Sequence, residues 1–412
     1  HDVADITPAA IWAAHQEWAR RHATPLYDDA AVDHTNAKDP HKRLRIGYVS
    51  TDFCTHSVAY FFDALLSHRD ATEFEVYCYA SVKHPDATTE RLKAMTDVWR
   101  DVYADDDATL AERVRADQVD ILVDLSGHMA GNRLLAFARK PAPVQFTYLG
   151  YPDTTGMEAM DYRITDACAD PVGVTDAWHS ETLIRLNHGF LAYRPNPNAP
   201  EVSALPAADN GCITFGSFNN FAKLSDKTLD LWARVLQAVP DSRLLLKYKQ
   251  ADDEGIRERL WQAFEERGIV RDRVDIRGRV NDSNGHLAVY HEVDIGLDPF
   301  PYHGTTTTCE ALWMGVPVIT LAGGHHAARV GVSVLTHAGL PQLIAEAETD
   351  YVELAKRLAD DRDGLATIRA GLREQVRQSE LTNGALLTRT LEQAYRAVWQ
   401  HYCQTGQSRI EA

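Results

Sequence analysis

Short apolar runs alternate with amphipathic stretches from Leu44 onwards. Each run is rich in Val, Ile, Phe and Tyr and has the length of a buried strand, whereas the stretches between the runs have helical spacing. The strand-like runs are LRIGYVS, FEVYCYA, VDILVDL and PVQFTYL, and the helical stretches include 57–68, 107–116 and 132–139. Strands that alternate with helices predict βαβ units and a parallel sheet.

The alternation begins again after a segment rich in Pro, Asn and Ala at 193–211, which we interpret as a linker. The second set of strand-like runs is CITFGSF, SRLLLKY, RVDIRG, VDIGLD and PVITLA, with helical stretches at 225–239, 252–267, 284–292 and 306–315. The predicted fold class is therefore α/β, in two halves. Ligands of open α/β sheets bind outside the carboxyl ends of the strands, so we expect the site in a cleft between the halves.

The chain ahead of Leu44 contains one helical run, at 8–22, followed by a polar stretch. We interpret residues 1–43 as the end of an upstream helical module with its linker, and the chain, which begins with His1, as part of a longer protein. The predicted domains are then an N-terminal Rossmann-like domain at 44–200, a C-terminal one at 211–383 and a final helix at 384–412.

The balance of charges restricts the partners. The chain has 42 Lys and Arg against 59 Asp and Glu, a net charge of −17. Nucleic acid and anionic membranes are therefore not expected as partners, because both attract clustered basic residues. A small anion depends on a local site instead, and we interpret the surplus carboxylates as a solubilising surface. The six cysteines without CxxC spacing predict a reducing, cytoplasmic setting without disulfides or structural zinc.

The segment 293–324 carries the strongest chemical signal. A strand is followed by a Pro/Gly loop, and four threonines at 305–308 open a helix that carries Glu310. Free N–H groups and the positive end of the helix dipole favour phosphate at such a position. Glu310, one turn later, is placed to accept hydrogen bonds from a ribose. The alternative is ordinary helix capping.

Two further motifs follow strands. In FGSFNNFAKLSD, Asn220 and Lys223 precede a helix that we expect Ser225 to cap, and a lysine here would neutralise a leaving diphosphate. The alternative is a solvated surface lysine. In RIGYVSTDFCTHSVAYF, His56 stands between a strand and a helix, which suits a general base or, alternatively, a helix cap.

Two Gly-rich turns are candidates for contacts with an acceptor, or are simply tight turns. They are DLSGHMAGNR, with His128 and Asn132, and LGYPDTTG, with Pro152 and Thr155. His286, after Asn-Gly, either stacks on a nucleobase or ends a turn. The absence of HExxH, GxGxxG, GxxxxGK[ST] and GxSxG from the sequence counts against a metal site, dinucleotide oxidoreductases, P-loop NTPases and α/β-hydrolases.

Taken together, these blocks resemble the catalytic region of the protein O-linked N-acetylglucosamine transferase family, which includes the SPINDLY proteins. The resemblance covers about 43–403 and includes RIGYVSTDFCTHSVAYF, SFNNFAKLSDKTLDLWARVL and GLDPFPYHGTTTTCEALWMGVPVITLAG. It implies the GT-B arrangement, in which two Rossmann-like domains face a nucleotide-sugar cleft. It also implies inverting transfer of one sugar to Ser or Thr of intracellular proteins, with no metal or other cofactor, and tandem helical repeats upstream that recruit the acceptors.

The resemblance also implies roles for individual residues. Lys223 matches the lysine that binds the diphosphate, His286 the histidine that stacks on the base and His56 a histidine proposed as catalytic base. Thr306 and Thr307 match the threonines that hold the phosphates. The full set of donor-binding candidates is Asn220, Lys223, His286, Gly304, Thr305, Thr306, Thr307 and Glu310.

The chain departs from the animal enzymes of this family in two respects. Glu310 stands where they have Asp, and their long insertion between the domains is missing. Several blocks are closer to SPINDLY proteins, which include O-fucosyltransferases that use GDP-fucose. The donor therefore stays open between UDP-GlcNAc and GDP-fucose. Two other functions also stay open: another GT-B enzyme, such as a nucleotide-sugar epimerase or small-molecule glycosyltransferase, and a non-catalytic scaffold that binds a nucleotide sugar.

Overall fold

The structure is a computed structural model that describes residues 6–30, 34–280 and 282–410. In this part of the chain there are two compact units. The first contains residues 7–194 together with the segment from Asn383 onward, and the second contains residues 195–382. None of the helices in these described ranges combines the length and the apolar character that a membrane span requires.

A parallel sheet forms the centre of the first unit. The strands described are β1 (Leu44–Ser50), β2 (Phe74–Ala80), β3 (Val98–Asp101), β4 (Ile121–Asp124), β5 (Val144–Thr147), β6 (Tyr162–Thr165) and β7 (Thr182–Arg185). Their order across the sheet is β3-β2-β1-β4-β5-β6-β7. The order reverses between β1 and β4, and the carboxyl ends of strands beside such a switch point are the usual place for a site.

The helices of the first unit cover this sheet. They are α1 (Pro8–His22), α2 (Ser57–Leu66), α3 (Ala87–Ala94), α4 (Asp107–Ala116) and α5 (Leu134–Ala138). Helix α1 begins where the hydroxyl of Thr7 accepts a hydrogen bond from the N–H of Ala10 at 3.2 Å. Its His15 ring hydrogen-bonds the hydroxyl of Tyr151 at 2.8 Å, so α1 packs on a loop that follows β5 and is part of this unit.

A second parallel sheet forms the centre of the other unit. Its described strands are β8 (Thr214–Ser217), β9 (Arg243–Lys247), β10 (Val274–Arg277), β11 (Ile295–Leu297), β12 (Val318–Leu321) and β13 (Ile344–Ala345). They lie in the order β10-β9-β8-β11-β12-β13, with the switch point between β8 and β11. The apolar side chains of β8, β9 and β11 form one core with α7 and α12, whose ranges are given next.

The helices that follow these strands complete the second unit. They are α6 (Pro206–Asn210), α7 (Asp226–Ala238), α8 (Glu254–Glu265), α9 (Ser283–Ala288), α10 (Thr306–Trp313), α11 (Val330–His337), α12 (Glu348–Asp360) and α13 (Arg362–Gln378). The last helix, α14 (Gly384–Thr405), returns to the first unit, where Tyr395 packs edge-on against Phe146 with ring centres 5.2 Å apart.

The predicted α/β class is confirmed, and the strand-like runs of β1 and β2 have the predicted bounds. The helical run at 8–22 is likewise α1. The sequence pattern missed β3, β6, β7 and β13. These strands have two to four residues each and do not lie in a longer apolar run as the predicted strands do. β3 also carries exposed polar positions, and β7 half-exposed ones.

The interpretation of the surplus carboxylates as surface is wrong for a group of aspartates. Asp120, Asp161 and Asp294 are 0–2% exposed. Each accepts a hydrogen bond from a backbone N–H at the start of a neighbouring strand: the N–H groups are those of Arg45 at 2.9 Å, Gln145 at 2.7 Å and Thr214 at 2.8 Å. These carboxylates join adjacent strands, and their hydrogen bonds compensate for the loss of solvent.

Candidate functional site

A buried carboxylate holds the loop between β11 and α10. Asp298, directly after β11, accepts hydrogen bonds from the N–H of Gly304 at 2.7 Å and from the hydroxyl of Thr320 at 2.8 Å. Burial raises the pKa of Asp298, and the nearby charge of Lys223 opposes this shift. The loop is therefore closed back onto the end of its own strand, which fixes the point where α10 starts.

His303 forms the floor of the same loop. Its Nδ1 accepts from the N–H of Gly331 at 3.0 Å, and its Nε2 donates to the carbonyl of Leu321 at 2.9 Å. Burial lowers the pKa of His303 to about 3, so the ring is neutral at physiological pH. Both nitrogens are used within the unit, and we assign His303 a supporting role.

Lys223 lies against this floor. It stands in a short turn after β8, and the Ser225 hydroxyl caps α7 by accepting from the N–H of Thr228 at 3.2 Å, as predicted. Nζ of Lys223 donates to the carbonyl of His303 at 2.6 Å and lies 4.1 Å from the centre of the Tyr302 ring. Burial lowers the pKa of Lys223. The side chain is half-buried, unlike the solvated surface lysine of the alternative interpretation.

The threonine run opens α10 as predicted, with Thr305 at the cap position and Thr306 as the first helical residue. The Thr305 side chain makes no capping hydrogen bond, so simple capping does not account for the run. The Thr308 hydroxyl is buried and has no hydrogen-bond partner among the described residues. The amino end of α10 therefore offers N–H groups and hydroxyls to an anion.

Gly304 allows these oxygens to come close together. A Cβ atom on Gly304 would lie 2.6 Å from Oγ1 of Thr308, 2.7 Å from Oγ1 of Thr307 and 3.0 Å from Oδ1 of Asn219. Any side chain would push these groups apart. The glycine is thus required by packing at the start of the helix.

The two adjacent asparagines after β8, Asn219 and Asn220, differ in burial and in their hydrogen-bond partners. Asn219 is buried and its Oδ1 accepts from the hydroxyl of Thr307 at 3.0 Å. Asn220, the predicted donor-binding residue, is exposed, and its Oδ1 accepts from the N–H of Ala222 at 3.1 Å. The structure therefore brings Asn219 to the threonine run, whereas Asn220 caps its own turn.

A chain of polar contacts runs beside α10. Nε2 of His286 lies 3.0 Å from Oε2 of Glu310, and Nδ1 of His286 contacts Nζ of Lys247. Lys247 ends β9, and burial lowers its pKa to about 8. Together with Lys223 and the threonines, the second unit gathers these groups at the carboxyl ends of β8, β9 and β11.

Sequence reasoning missed Asn219, Lys247, Asp298 and His303. The available signal was position: Asn219, Lys247 and Asp298 each end or directly follow a strand-like run, where parallel strands present their carboxyl ends. A lysine that ends an apolar strand, as Lys247 does, is the clearest of these signals.

In the first unit, His56 follows β1 and caps α2. Its Nδ1 accepts a long hydrogen bond, 3.4 Å, from the N–H of Val58, and Oδ1 of Asp52 lies 3.7 Å from the same nitrogen. The side chain is 41% exposed. While Nδ1 accepts the cap bond, the neutral ring carries its proton on Nε2. A role as general base at Nε2 therefore requires the other tautomer, in which the cap bond is given up and the Nδ1–H faces Oδ1 of Asp52.

His128 and Asn132 follow β4 and are engaged locally. The ring of His128 packs edge-on against Trp18 of α1 with centres 4.5 Å apart, and its Nε2 lies 2.8 Å from the carbonyl of Thr155. Burial lowers the pKa of His128 to about 4. Asn132 donates to the carbonyl of Met129 at 2.8 Å. Both side chains shape the turn in this structure.

Buried hydrogen bonds to Glu181 hold the loop after β5 in place. Thr155 is fully buried and its hydroxyl and N–H both donate to Oε1 of Glu181, while the hydroxyl of Thr154 donates to Oε2 at 2.7 Å. Pro152 is half-exposed. Of these predicted acceptor-side residues, Pro152 lies nearer the surface, and Thr155 anchors the loop.

Asp124 links the loops of this unit. It is 1% exposed and accepts from the N–H of Ser126 at 3.0 Å, the N–H of Gly127 at 2.8 Å and the hydroxyl of Thr147 at 2.9 Å. Burial raises its pKa to about 6. These hydrogen bonds connect the carboxyl ends of β4 and β5, next to the switch point between β1 and β4.

Two units, each built on a parallel β-sheet covered by helices, are typical of the GT-B class of glycosyltransferases. The model of glycosyl transferase family 41 matches residues 8–193 and 203–391, so the chain belongs to this family. The match begins with α1, upstream of the expected start near residue 43. The suspected resemblance is confirmed.

Curated relatives carry names that agree with this family. The probable UDP-N-acetylglucosamine--peptide N-acetylglucosaminyltransferase SPINDLY of Solanum lycopersicum is 45% identical over 401 residues, which are 96% of this chain and 43% of the relative. The SPINDLY protein of Hordeum vulgare is 47% identical over 95% of this chain and 42% of the relative. The SEC protein of Arabidopsis thaliana, of the same activity by name, is 29% identical over 94% of this chain and 40% of the relative. The chain thus spans less than half of each.

Solved structures agree with the predicted GT-B class. A variant of the O-GlcNAc transferase of Thermobaculum terrenum is similar to this chain with a TM-score of 0.93 and 42% identity, over 98% of this chain and 76% of that one. The sucrose-phosphate synthase of Thermosynechococcus elongatus, at 15% identity and a TM-score of 0.53, covers 87% of this chain and all of its own and shares the fold alone.

Proposed function

We propose that this chain is the catalytic region of a protein O-glycosyltransferase. It transfers one sugar from a nucleoside diphosphate to Ser or Thr of a protein, with inversion and without a metal ion. The observation that carries the proposal is the cradle of Lys223, Gly304 and the threonine-rich amino end of α10 in the second unit. The names of the relatives favour UDP-GlcNAc as donor. GDP-fucose is the second candidate, because the chain is more similar to a SPINDLY protein than to SEC, and the resemblance to SPINDLY proteins, which include O-fucosyltransferases, implies this donor.

The diphosphate is the leaving group in this reaction, and its charge grows as the glycosidic bond breaks. Lys223 supplies a cation, and the amino end of α10 supplies N–H groups and the hydroxyl of Thr306. Thr307 belongs to the same helix start, and its hydroxyl has to turn from Oδ1 of Asn219 to donate to a phosphate. These donors are held in place before the reaction begins, and such preorganised electrostatics stabilise the developing charge. The same groups take over the task that a metal ion has in other transferases.

Glu310 and His286 serve the nucleoside in the proposed site. Glu310 accepts hydrogen bonds from the ribose hydroxyls, and the ring of His286 stacks on the base. His56 acts on the acceptor, as a direct or water-mediated base for the Ser or Thr hydroxyl during attack from the face opposite the diphosphate. Upstream helical repeats, which we expect in the longer protein, would recruit the acceptor.

The test is incubation of the protein, with its full natural length, with a panel of Ser/Thr peptides and either UDP-GlcNAc or GDP-fucose. Mass spectrometry then detects the added mass on the peptide. Transfer from one donor that persists in a metal chelator supports the proposal. Donor isomerisation without peptide modification would support an epimerase, and donor binding without turnover would support a scaffold. Either result would overturn the proposal.

A further inference from the structure

Lys247 is a buried cation whose surroundings are unusual for a lysine. It is 5% exposed at the carboxyl end of β9, and its Nζ contacts Nδ1 of His286 and lies 5.2 Å from the centre of the Phe218 ring. Lysines are rarely this buried, since the charged form loses its water. Lys247 has no part in the proposed transfer reaction, although it touches His286 of the proposed donor site.

The contact determines which His286 nitrogen carries the proton. A lysine ammonium can only donate, so Nδ1 of His286 must accept. The neutral ring then holds its proton on Nε2, which donates to Oε2 of Glu310 at 3.0 Å. Both nitrogens are therefore engaged by the protein, and the faces of the ring are what remains for a ligand.

The hydrogen bond with His286 also determines which oxygen of Glu310 is left for a ligand. The hydrogen bond from His286 occupies Oε2 and leaves Oε1 for the hydroxyls of a sugar. Tyr290 and Phe218 stand near the ring of His286, with centres 6.1 Å and 6.3 Å away, and they pack on each other at 4.4 Å. The ring is thus held by a cation on one edge, a carboxylate on the other and aromatic side chains nearby.

We propose that Lys247 is a positioning residue for the nucleoside half of the donor. By donating to Nδ1 it fixes the orientation and tautomer of the His286 ring, and through that ring it orients Glu310. The inference rests on the proposed function and deepens it. It separates two parts of the site: the Lys223 cradle binds the diphosphate, and the chain from Lys247 through His286 to Glu310 binds the base and ribose.

The first experiment measures the Kd of UDP and GDP for Lys247→Met, which keeps the stem and removes the donor. The exposed Lys249→Met, two residues further on, is the matched control. We expect the Kd of the nucleotide that the parent protein binds to rise about tenfold in Lys247→Met and to stay unchanged in the control. An unchanged Kd in a folded Lys247→Met would overturn the inference.

A double-mutant cycle tests whether Lys247 acts through His286. His286→Phe keeps a ring face and removes both nitrogens. In that background, Lys247→Met should change the Kd by less than about twofold. A full tenfold effect there would show that Lys247 touches the nucleotide itself and would overturn the positioning role.

Lys247→Gln guards against a loss that comes only from misfolding. The amide still donates to Nδ1 but carries no charge. We expect its nucleotide Kd to be within about threefold of the parent value, and a loss as large as that of Lys247→Met would refute donation as the mechanism. If the parent protein binds neither nucleotide, the proposed function fails; if it binds one and Lys247→Met binds it equally well, only this inference fails.

Discussion

Lys223→Met keeps the length and apolar stem of the side chain while removing its charge and its donor. Nζ of Lys223 lies 2.6 Å from the His303 carbonyl, beside the loop that leads into α10. A phosphate charge about 4 Å from this ammonium would be worth about 4 kcal/mol at an effective dielectric constant of about 20. Because Lys223 is half-buried, solvent screens part of this energy, and we expect a loss of about 2–3 kcal/mol. That loss lowers kcat/KM by a factor of about 30–150.

The assay compares initial rates of transfer to a peptide for the parent protein, Lys223→Met and the control Lys249→Met. Thermal unfolding shows whether each variant is folded. A pH profile adds a second measurement: burial lowers the pKa of Lys223, so its charge, and with it the activity, is lost at lower pH than for an exposed lysine. This alkaline limb should be absent from Lys223→Met. A folded Lys223→Met with kcat/KM within about threefold of the control would refute the diphosphate role.

Three other changes have definite expected outcomes. Gly304→Ala places a Cβ 2.6–3.0 Å from three oxygens, so the Kd of the nucleoside diphosphate should rise about tenfold in calorimetry, and an unchanged Kd would contradict the cradle. Burial raises the pKa of Asp124 to about 6 from 3.8, so the native state binds its proton more tightly and stability falls as pH rises between these values. The Tm of the parent protein minus that of Asp124→Asn should therefore decrease by a few degrees from pH 4 to pH 7, and an increase would reverse the assigned sign. Finally, a chelator should leave the transfer rate unchanged, and a loss that Mg²⁺ or Mn²⁺ restores would reject the metal-free mechanism.

The sequence predicted those elements whose signals are local. The bounds of β1 and β2 follow from continuous apolar runs, and α1 begins at a Thr-Pro pair that both caps and starts a helix. Ser225 before α7 is a similar local signal. β3 carries no such run, because its four residues are half-exposed or exposed. Its strand conformation depends on pairing with β2, which no pattern within β3 itself indicates.

Some residues of the candidate site also carry a local signal in the sequence, whereas others are placed by contacts with distant residues. Lys223 and the threonine run were found because they follow strand-like runs and precede helices. Which of two adjacent asparagines turns inward is decided by Thr307, 88 residues away from Asn219, and no local pattern contains that information. The burial of Lys247 depends likewise on His286, 39 residues later, and that of Asp298 on Thr320.

The separation of groups among strands has a consequence for how donor preference changes between relatives. In the proposed site, the phosphate cradle belongs to the central strands β8 and β11 and to α10, whereas His286 is carried by α9, which follows the edge strand β10. We therefore expect substitutions around α9 to change the nucleobase that the proposed site prefers while the phosphate cradle keeps its own contacts. In protein engineering, we expect a change of nucleobase to involve this short segment and to leave the groups proposed for the leaving diphosphate as they are.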